Sequence, residues 1–307
     1  MSVRIVEVGP RDGLQNEPVP IPTQAKADFV RALAASGLRE IEVSSFVSPK
    51  AVPQLADASD LFGSLSEWRR SEGTGVKLSA LVPNQKGLER ALQAGVDRIA
   101  VFTAASDEFA RRNIGMDVEG SIAAFREVVS EFRQAVPSGW VRGYVSTAFE
   151  CPYEGRIDPA RTAEVAAKLL EIGVDEVSVG DTIGVAAPAE VRKLTRALLA
   201  AIPRERLAYH FHDTRGTAIA NVAAAMDMGI QAFDSSAAGL GGCPFAPGAG
   251  GNLATEDLVY FLERSGIPTG ISLESLAKAS LPILEILGRA PAAKAQAAAL
   301  ASSSPTR

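Results

Sequence analysis

The sequence contains two histidines, and both fall in one short run, Leu207-Ala208-Tyr209-His210-Phe211-His212-Asp213. Alternate residues of an extended strand face opposite ways, so Leu207, Tyr209 and Phe211 share one face and the imidazoles share the other. A pair of satisfied core histidines is one reading. Charged, however, the two rings would repel, and neutral, each would need its own partner. Joint ligation of one metal ion is the chemistry this spacing favours. Such a site needs further ligands, and carboxylate or amide oxygens would select a hard ion, Mg²⁺ or Mn²⁺, over zinc. Asp12, in Glu7-Val8-Gly9-Pro10-Arg11-Asp12-Gly13, and Asn252, in Gly250-Gly251-Asn252-Leu253, offer these donors. Each also has a plainer role, Asp12 as a turn former before Gly13 and Asn252 as a helix-start residue.

Between the eighth strand and Asn252, residues 239–251 hold six glycines in thirteen residues, with Cys243 in the middle. That composition predicts a loop able to move above the site. A thiol there is placed to give or take a proton, although a lone Cys also serves as a small buried hydrophobe. The glycines do not match the GxxxxGK[ST] phosphate-binding pattern.

The elements that must position these residues follow from a recurring phrase, a glycine followed by an alternating strand. It occurs at Gly37-Leu38-Arg39-Glu40, Gly95-Val96-Asp97-Arg98, Gly173-Val174-Asp175-Glu176 and Gly229-Ile230-Gln231. Glycine is wanted just past a helix, where positive φ is common, so each phrase marks a helix-to-strand joint. Val165, Leu169 and Ile172 line one helical face before the third joint, as Phe29 and Leu33 do before the first. Alternation predicts eight strands: Val3–Val8, Glu40–Ser44, Lys77–Val82, Arg98–Thr103, Val141–Ser146, Glu176–Gly180, Leu207–His212 and Gln231–Ser235. Eight strands with intervening helices, and no GxGxxG after the first, favour an α/β fold of the closed (β/α)8 TIM-barrel type. Closure brings the first strand beside the eighth, and the eighth beside the histidine strand. Chemistry is then expected at the C-terminal strand ends. Arg142 and Tyr144 share a strand face with Ser146; they either orient a substrate carboxylate or form an inward structural layer. After an eighth helix near Ala254–Ser265, an apolar segment around Leu273–Leu287 reads as a C-terminal helical extension. The expected division is a catalytic barrel with cap helices, residues 1–290, and an Ala/Ser-rich, partly disordered tail, 291–307.

Composition narrows the function classes. With 47% hydrophobic and 22% charged residues, the chain can bury a large core. A net charge of −5, with no Lys/Arg run, makes nucleic acid a poor partner. Two cysteines, Cys151 and Cys243, are too few for a disulfide framework and suit a reducing, cytoplasmic compartment. No apolar stretch long enough to span a membrane occurs, and a first strand starting at Val3 leaves no room for a leader.

The stretches VEVGPRDGLQNE (6–17), SSFVSPK (44–50), VRGYVS (141–146), CPYEG (151–155), GDTIGV (180–185), HFHDT (210–214) and DSSAAGLGGCPFAPGAGGNLATEDLVY (234–260) together resemble the hydroxymethylglutaryl-CoA lyases. These are members of an aldolase-like, metal-dependent barrel family that includes isopropylmalate and homocitrate synthases. The Gly-Gly-Cys-Pro loop followed by Gly-Asn-Leu-Ala-Thr-Glu-Asp carries the most specific match. The resemblance implies that Asp12, His210, His212 and Asn252 bind the metal and that Arg11, Glu42, Asp181 and Cys243 line the reaction centre. It further implies an acyl-CoA substrate, contacted by Arg11 and Gln15 and by Arg142 and Tyr144 if these face it, a role in leucine breakdown, and a homodimer. The implied reaction splits 3-hydroxy-3-methylglutaryl-CoA into acetoacetate and acetyl-CoA. In it Arg11 holds the thioester oxygen, Cys243 protonates the enolate carbon, and the base is Asp12, His210 or Glu42. The condensing relatives carry an Asn-Asp pair after the second histidine where Asp213-Thr214 stands here, which favours the lyase branch over a synthase. A lyase for a bulkier 3-hydroxyglutaryl-CoA is the other alternative. The C-terminal cysteine and peroxisomal tail of some animal forms are absent from the sequence.

Overall fold

The computed structural model describes residues 2–73, 75–242 and 251–303. Its first five strands are β1 (Arg4–Glu7), β2 (Glu40–Ser45), β3 (Lys77–Leu81), β4 (Arg98–Ala104) and β5 (Trp140–Ser146). A small antiparallel hairpin follows, β6 (Glu150–Cys151) and β7 (Gly155–Arg156), and then β8 (Glu176–Asp181), β9 (Leu207–Phe211) and β10 (Ala232–Ser235). All but the hairpin close into one parallel barrel in the order β1-β10-β9-β8-β5-β4-β3-β2, with helices between successive strands. This is a (β/α)8 barrel, and each barrel strand lies within one residue of its expected ends. The four joint glycines all have positive φ, from 72° at Gly95 to 113° at Gly37. At Gly37 a side chain would also strike the carbonyl of Gly270, so the first joint demands glycine twice over.

The strands are two-sided in a way their sequences foretell. Outward residues such as Ile41, Val101, Val179 and Phe233 are fully buried beneath the helices. Inward, a small apolar cluster of Leu81, Ala100 and Tyr144, with Phe102 against it, fills the side formed by β3, β4 and β5. The rest of the barrel axis is ionic. Arg142 pairs with Asp234 at 2.7 Å and with Glu176 at 3.0 Å; Glu176 also meets Arg4, which pairs with Glu40 at 2.8 Å. Charges so enclosed are tolerated only when each has a partner.

The segment 273–287 is not one helix but two, Leu273–Ala279 and Leu281–Leu287. Ser280 ends the first and precedes the second, whose second residue, Pro282, has no N–H to continue a ladder. The Ala-rich stretch beyond, where the tail was expected to begin, forms a helix, Lys294–Ser303, in keeping with the high helix propensity of alanine. It packs on helices Thr255–Arg264 and Leu273–Ala279. Gln296, fully buried, donates to Ala277 O (3.0 Å) and Ser280 Oγ (2.7 Å). Residues 304–307 lie outside the described residues. Gln296→Ala leaves both acceptors unpaired in a dry interface and should lower the unfolding free energy by about 1–3 kcal/mol. Urea unfolding with an unchanged transition midpoint would show that this helix adds nothing to the fold.

Candidate metal and active centre

β9 puts Tyr209 and Phe211 into the outer core, where Tyr209 meets Thr195 Oγ1 at 2.8 Å, and turns both imidazoles inward. Their Nε2 atoms approach to 3.1 Å. Asp12 arrives from a π-helical turn, Gly9–Gly13, at the end of β1, because barrel closure sets β1 beside β10 and β10 beside β9. One ligand atom each from Asp12, His210 and His212 lie within 4.8 Å of one another. Asn252 forms a bridge with His212, and its Nδ2 donates to Asp12 Oδ2 (2.9 Å) and Leu240 O (3.1 Å). Its Oδ1 is buried without a hydrogen-bond partner, as is His212 Nδ1. The amide nitrogen is thus spent on the protein while the oxygen is spare. Two imidazoles, a carboxylate and an amide oxygen are a donor set that a divalent ion fits.

The surrounding charges reinforce this arrangement. Burial works against ionisation of Asp12, yet Arg11, His210 and His212 together hold its carboxyl well below the usual range. Burial, and then the neighbouring His210, push His212 down to about 4, so its lone pair is available at neutral pH. Burial opposes a proton on His210 as well, but Asp234 and Asp12 outweigh it and raise that ring. Arg11 reaches Asp12 Oδ1 through Nη1 (2.5 Å) and Glu42 through Nε. The other Glu42 oxygen accepts from Tyr144 Oη at 2.9 Å. Burial first, and then the Glu42 charge, raise Tyr144 far above an ordinary phenol, so it acts as a neutral donor.

A cavity of about 410 Å³ opens over these groups, with Arg11, Asp12, Gln15, Tyr144, His210 and His212 in its wall. Glu42, only 1% exposed, sits behind Arg11 and Tyr144 and is not part of that wall. Arg142 is 2% exposed and faces protein carboxylates below the cavity, which is the structural layer and not a surface offered to a ligand. Asp181 accepts from Val185 N and Ala186 N, both at 3.0 Å, and so closes the turn after β8; burial raises it to about 6. Cys243 lies outside the described residues. At the flanks of its loop, Gly241 has φ 111° and a side chain there would strike the Asn252 amide, while a side chain at Gly251 would strike the Gly241 carbonyl. These two glycines therefore serve close backbone crossing, a different use from the mobility expected of the loop. A larger cavity, about 690 Å³, opens at the opposite mouth beside Arg4, Arg39 and Arg204, away from the histidines. Barrel enzymes work at the C-terminal mouth.

Sequence reasoning missed three supporting residues. Asp234 meets His210 Nδ1 at 3.2 Å and accepts from Ser178 Oγ at 2.8 Å. Its signal was an acidic residue alternating with outward Phe233 beside the histidine strand. Glu7 accepts from Gly9 N (2.7 Å), Ala237 N (2.9 Å) and Thr255 Oγ1 (2.6 Å), tying the Asp12 turn to the segment that carries Asn252. Glu256 accepts twice from Ala238 N, at 2.8 and 3.0 Å, and so braces a non-glycine residue with φ 57°.

A parallel barrel with a candidate metal centre at its C-terminal mouth is the class this fold and site define. The chain belongs to the HMGL-like family, whose profile matches residues 2–283. It is 48% identical over 300 residues to the Pseudomonas aeruginosa protein named 3-hydroxy-3-isohexenylglutaryl-CoA/hydroxy-methylglutaryl-CoA lyase, covering 98% of each. A crystal structure of hydroxymethylglutaryl-CoA lyase from Pseudomonas aeruginosa superposes with TM-score 0.94 at 47% identity, covering 98% of both chains. An HMG-CoA lyase from Acinetobacter baumannii, solved in complex with coenzyme A and 3-methylmalate, superposes with TM-score 0.89 at 37% identity, covering 98% of this chain and 95% of that one.

Burial, chiefly, raises Glu256 to about 8 from a carboxyl's ordinary 4.5. A raised native pKa means that the unfolded chain ionises first, so this residue's contribution is fully present below about 4.5 and fades as pH climbs towards 8. The unfolding free energy of wild type should therefore fall relative to Glu256→Gln between about pH 5 and pH 8. Urea titrations across that range check this; a pH-independent difference would contradict the burial account.

Proposed function

We propose that this chain cleaves 3-hydroxy-3-methylglutaryl-CoA to acetoacetate and acetyl-CoA, with Mg²⁺ or Mn²⁺ held by Asp12, His210, His212 and Asn252. The observation that carries the reading is the contact of Arg11 with Asp12 in the wall of the cavity, which joins a fixed cation to the ligand cluster. The reaction removes a proton from the C3 hydroxyl and breaks the C2–C3 bond. The electron pair passes to the thioester as an enolate, which is then protonated at C2. A divalent ion there supplies Lewis acidity, which lowers a hydroxyl's pKa. Asp12 lines the cavity and is the group we assign to take that proton; His210, with Nε2 turned to the ion and Nδ1 to Asp234, has no lone pair left for it, and Glu42 fixes Arg11 from behind. Arg11 Nη2 makes no hydrogen bond among the described residues, so its donors are available to a developing oxyanion. Proton delivery to carbon is assigned, from sequence alone, to Cys243. Gln15 and Tyr144 supply polar contacts to the acyl chain. With this activity we propose a role in leucine breakdown, as a cytoplasmic homodimer. No described helix is long and apolar enough to cross a membrane.

A second reading is supported by the apolar part of the wall, where Val47, Leu81, Phe102 and Phe109 stand. A longer 3-alkyl group would suit that surface, and the Pseudomonas aeruginosa relative's name includes such a substrate. Turnover of the methyl and longer-branched thioesters side by side, with products identified, tests both readings. If the methyl substrate is the poorest, the longer chain is the natural one; if none is cleaved, the lyase reading fails. Arg11→Lys keeps the charge but loses the donor fork, so kcat should drop about 100-fold or more. A near-normal kcat would remove Arg11 from the reaction.

A further inference from the structure

His210 has to present a bare Nε2 towards Asp12 and His212 if the three are to share an ion, and neutral imidazole has two tautomers of which only one does so. Asp234 faces the other nitrogen. Its Oδ2 lies 3.2 Å from His210 Nδ1 and also accepts from Ser178 Oγ, while Oδ1 lies 2.7 Å from Arg142 Nη1. The Asp234 side chain is fully enclosed and that of Arg142 nearly so, and Arg142 is itself anchored by Glu176. We propose that Asp234 is a positioning residue that fixes His210 as the Nδ1–H tautomer, with Arg142 fixing which oxygen of Asp234 faces the ring. This rests on the metal reading above and assigns Asp234 no contact with substrate.

The arrangement gives an isosteric test. In Asp234→Asn, the Arg142 cation requires the amide oxygen on its own side, so the NH₂ must face His210 Nδ1. That nitrogen can then only accept, and the ring's proton is driven to Nε2, the atom the ion needs. Ser178 Oγ, rotated to accept, leaves the NH₂ satisfied and the fold undisturbed. Carboxylates behind ligating histidines typically contribute 10- to 100-fold in metal affinity, so Mn²⁺ binding followed by electron paramagnetic resonance should weaken by about that factor. Equal affinity of the Asn variant and wild type overturns the assignment. A wild type that binds no Mn²⁺ overturns both the assignment and the metal reading. Because the chain has two histidines, ¹⁵N-histidine labelling resolves the tautomer directly, even if the variant does not fold. In Mg²⁺-loaded wild type the proton should sit on His210 Nδ1, and in Asp234→Asn on Nε2. A wild-type spectrum with the proton on Nε2 overturns the proposal.

Discussion

Charges enclosed in a closed barrel must be paired within the protein, because no water is near enough to do it for them. Breaking one buried pair by removing a partner typically costs about 3–5 kcal/mol, a large part of a domain's total stability. Here an alternating series runs along the axis from Glu40 and the one-third-exposed Arg4 at one mouth to Glu176, Arg142 and Asp234, which are enclosed and subject to that requirement in full. Its last member meets His210. The end of the barrel that carries the candidate metal ligands is therefore continuous with the ionic layer that fills the barrel below it. Apolar filling, usual in such barrels, forms a packed cluster only around Leu81 and Tyr144 among the described residues.

The upper rim follows a related rule with backbone amides in place of cations. Glu7 and Glu256 each take N–H groups from the segment after β10, and Thr255 links Glu7 to Ser235. Asp12 and Asn252 come from chain positions 240 residues apart and still meet at 2.9 Å, because both loops are pinned to these carboxyls. Burial raises Glu7 to about 7, a sign that enclosure outweighs its three hydrogen bonds. A site assembled from loops so tied has little freedom to rearrange, as preorganised electrostatic catalysis requires.

Period-two alternation and the joint glycines were enough to place every barrel strand within a residue, since closure needs strands of fixed length and each strand is apolar on its outer face. The histidine pair, Asp12 and Asn252 were legible as donors, and barrel closure brought them together. Partners were not legible. Alternation showed that Arg142 points inward but not that Glu176 and Asp234 wait for it, so the choice between a substrate contact and a structural layer stayed open. Asp181 lies at the end of a strand like a catalytic group, yet its oxygens are taken by amides four and five residues on. Asp234 was overlooked for the converse reason, because its importance comes from Ser178, Arg142 and His210, all far away in sequence. The break at Ser280 was visible in Pro282, but a continuous apolar period masked it.

The central claim is that one ion is shared by Asp12, His210, His212 and Asn252. Anomalous diffraction at the manganese edge, from crystals grown with Mn²⁺, measures this most directly. The account predicts a single strong peak at the C-terminal mouth, within coordination distance of one carboxylate oxygen of Asp12, both Nε2 atoms and Asn252 Oδ1. A peak that reached only one histidine, or one bound through His210 Nδ1, would contradict it.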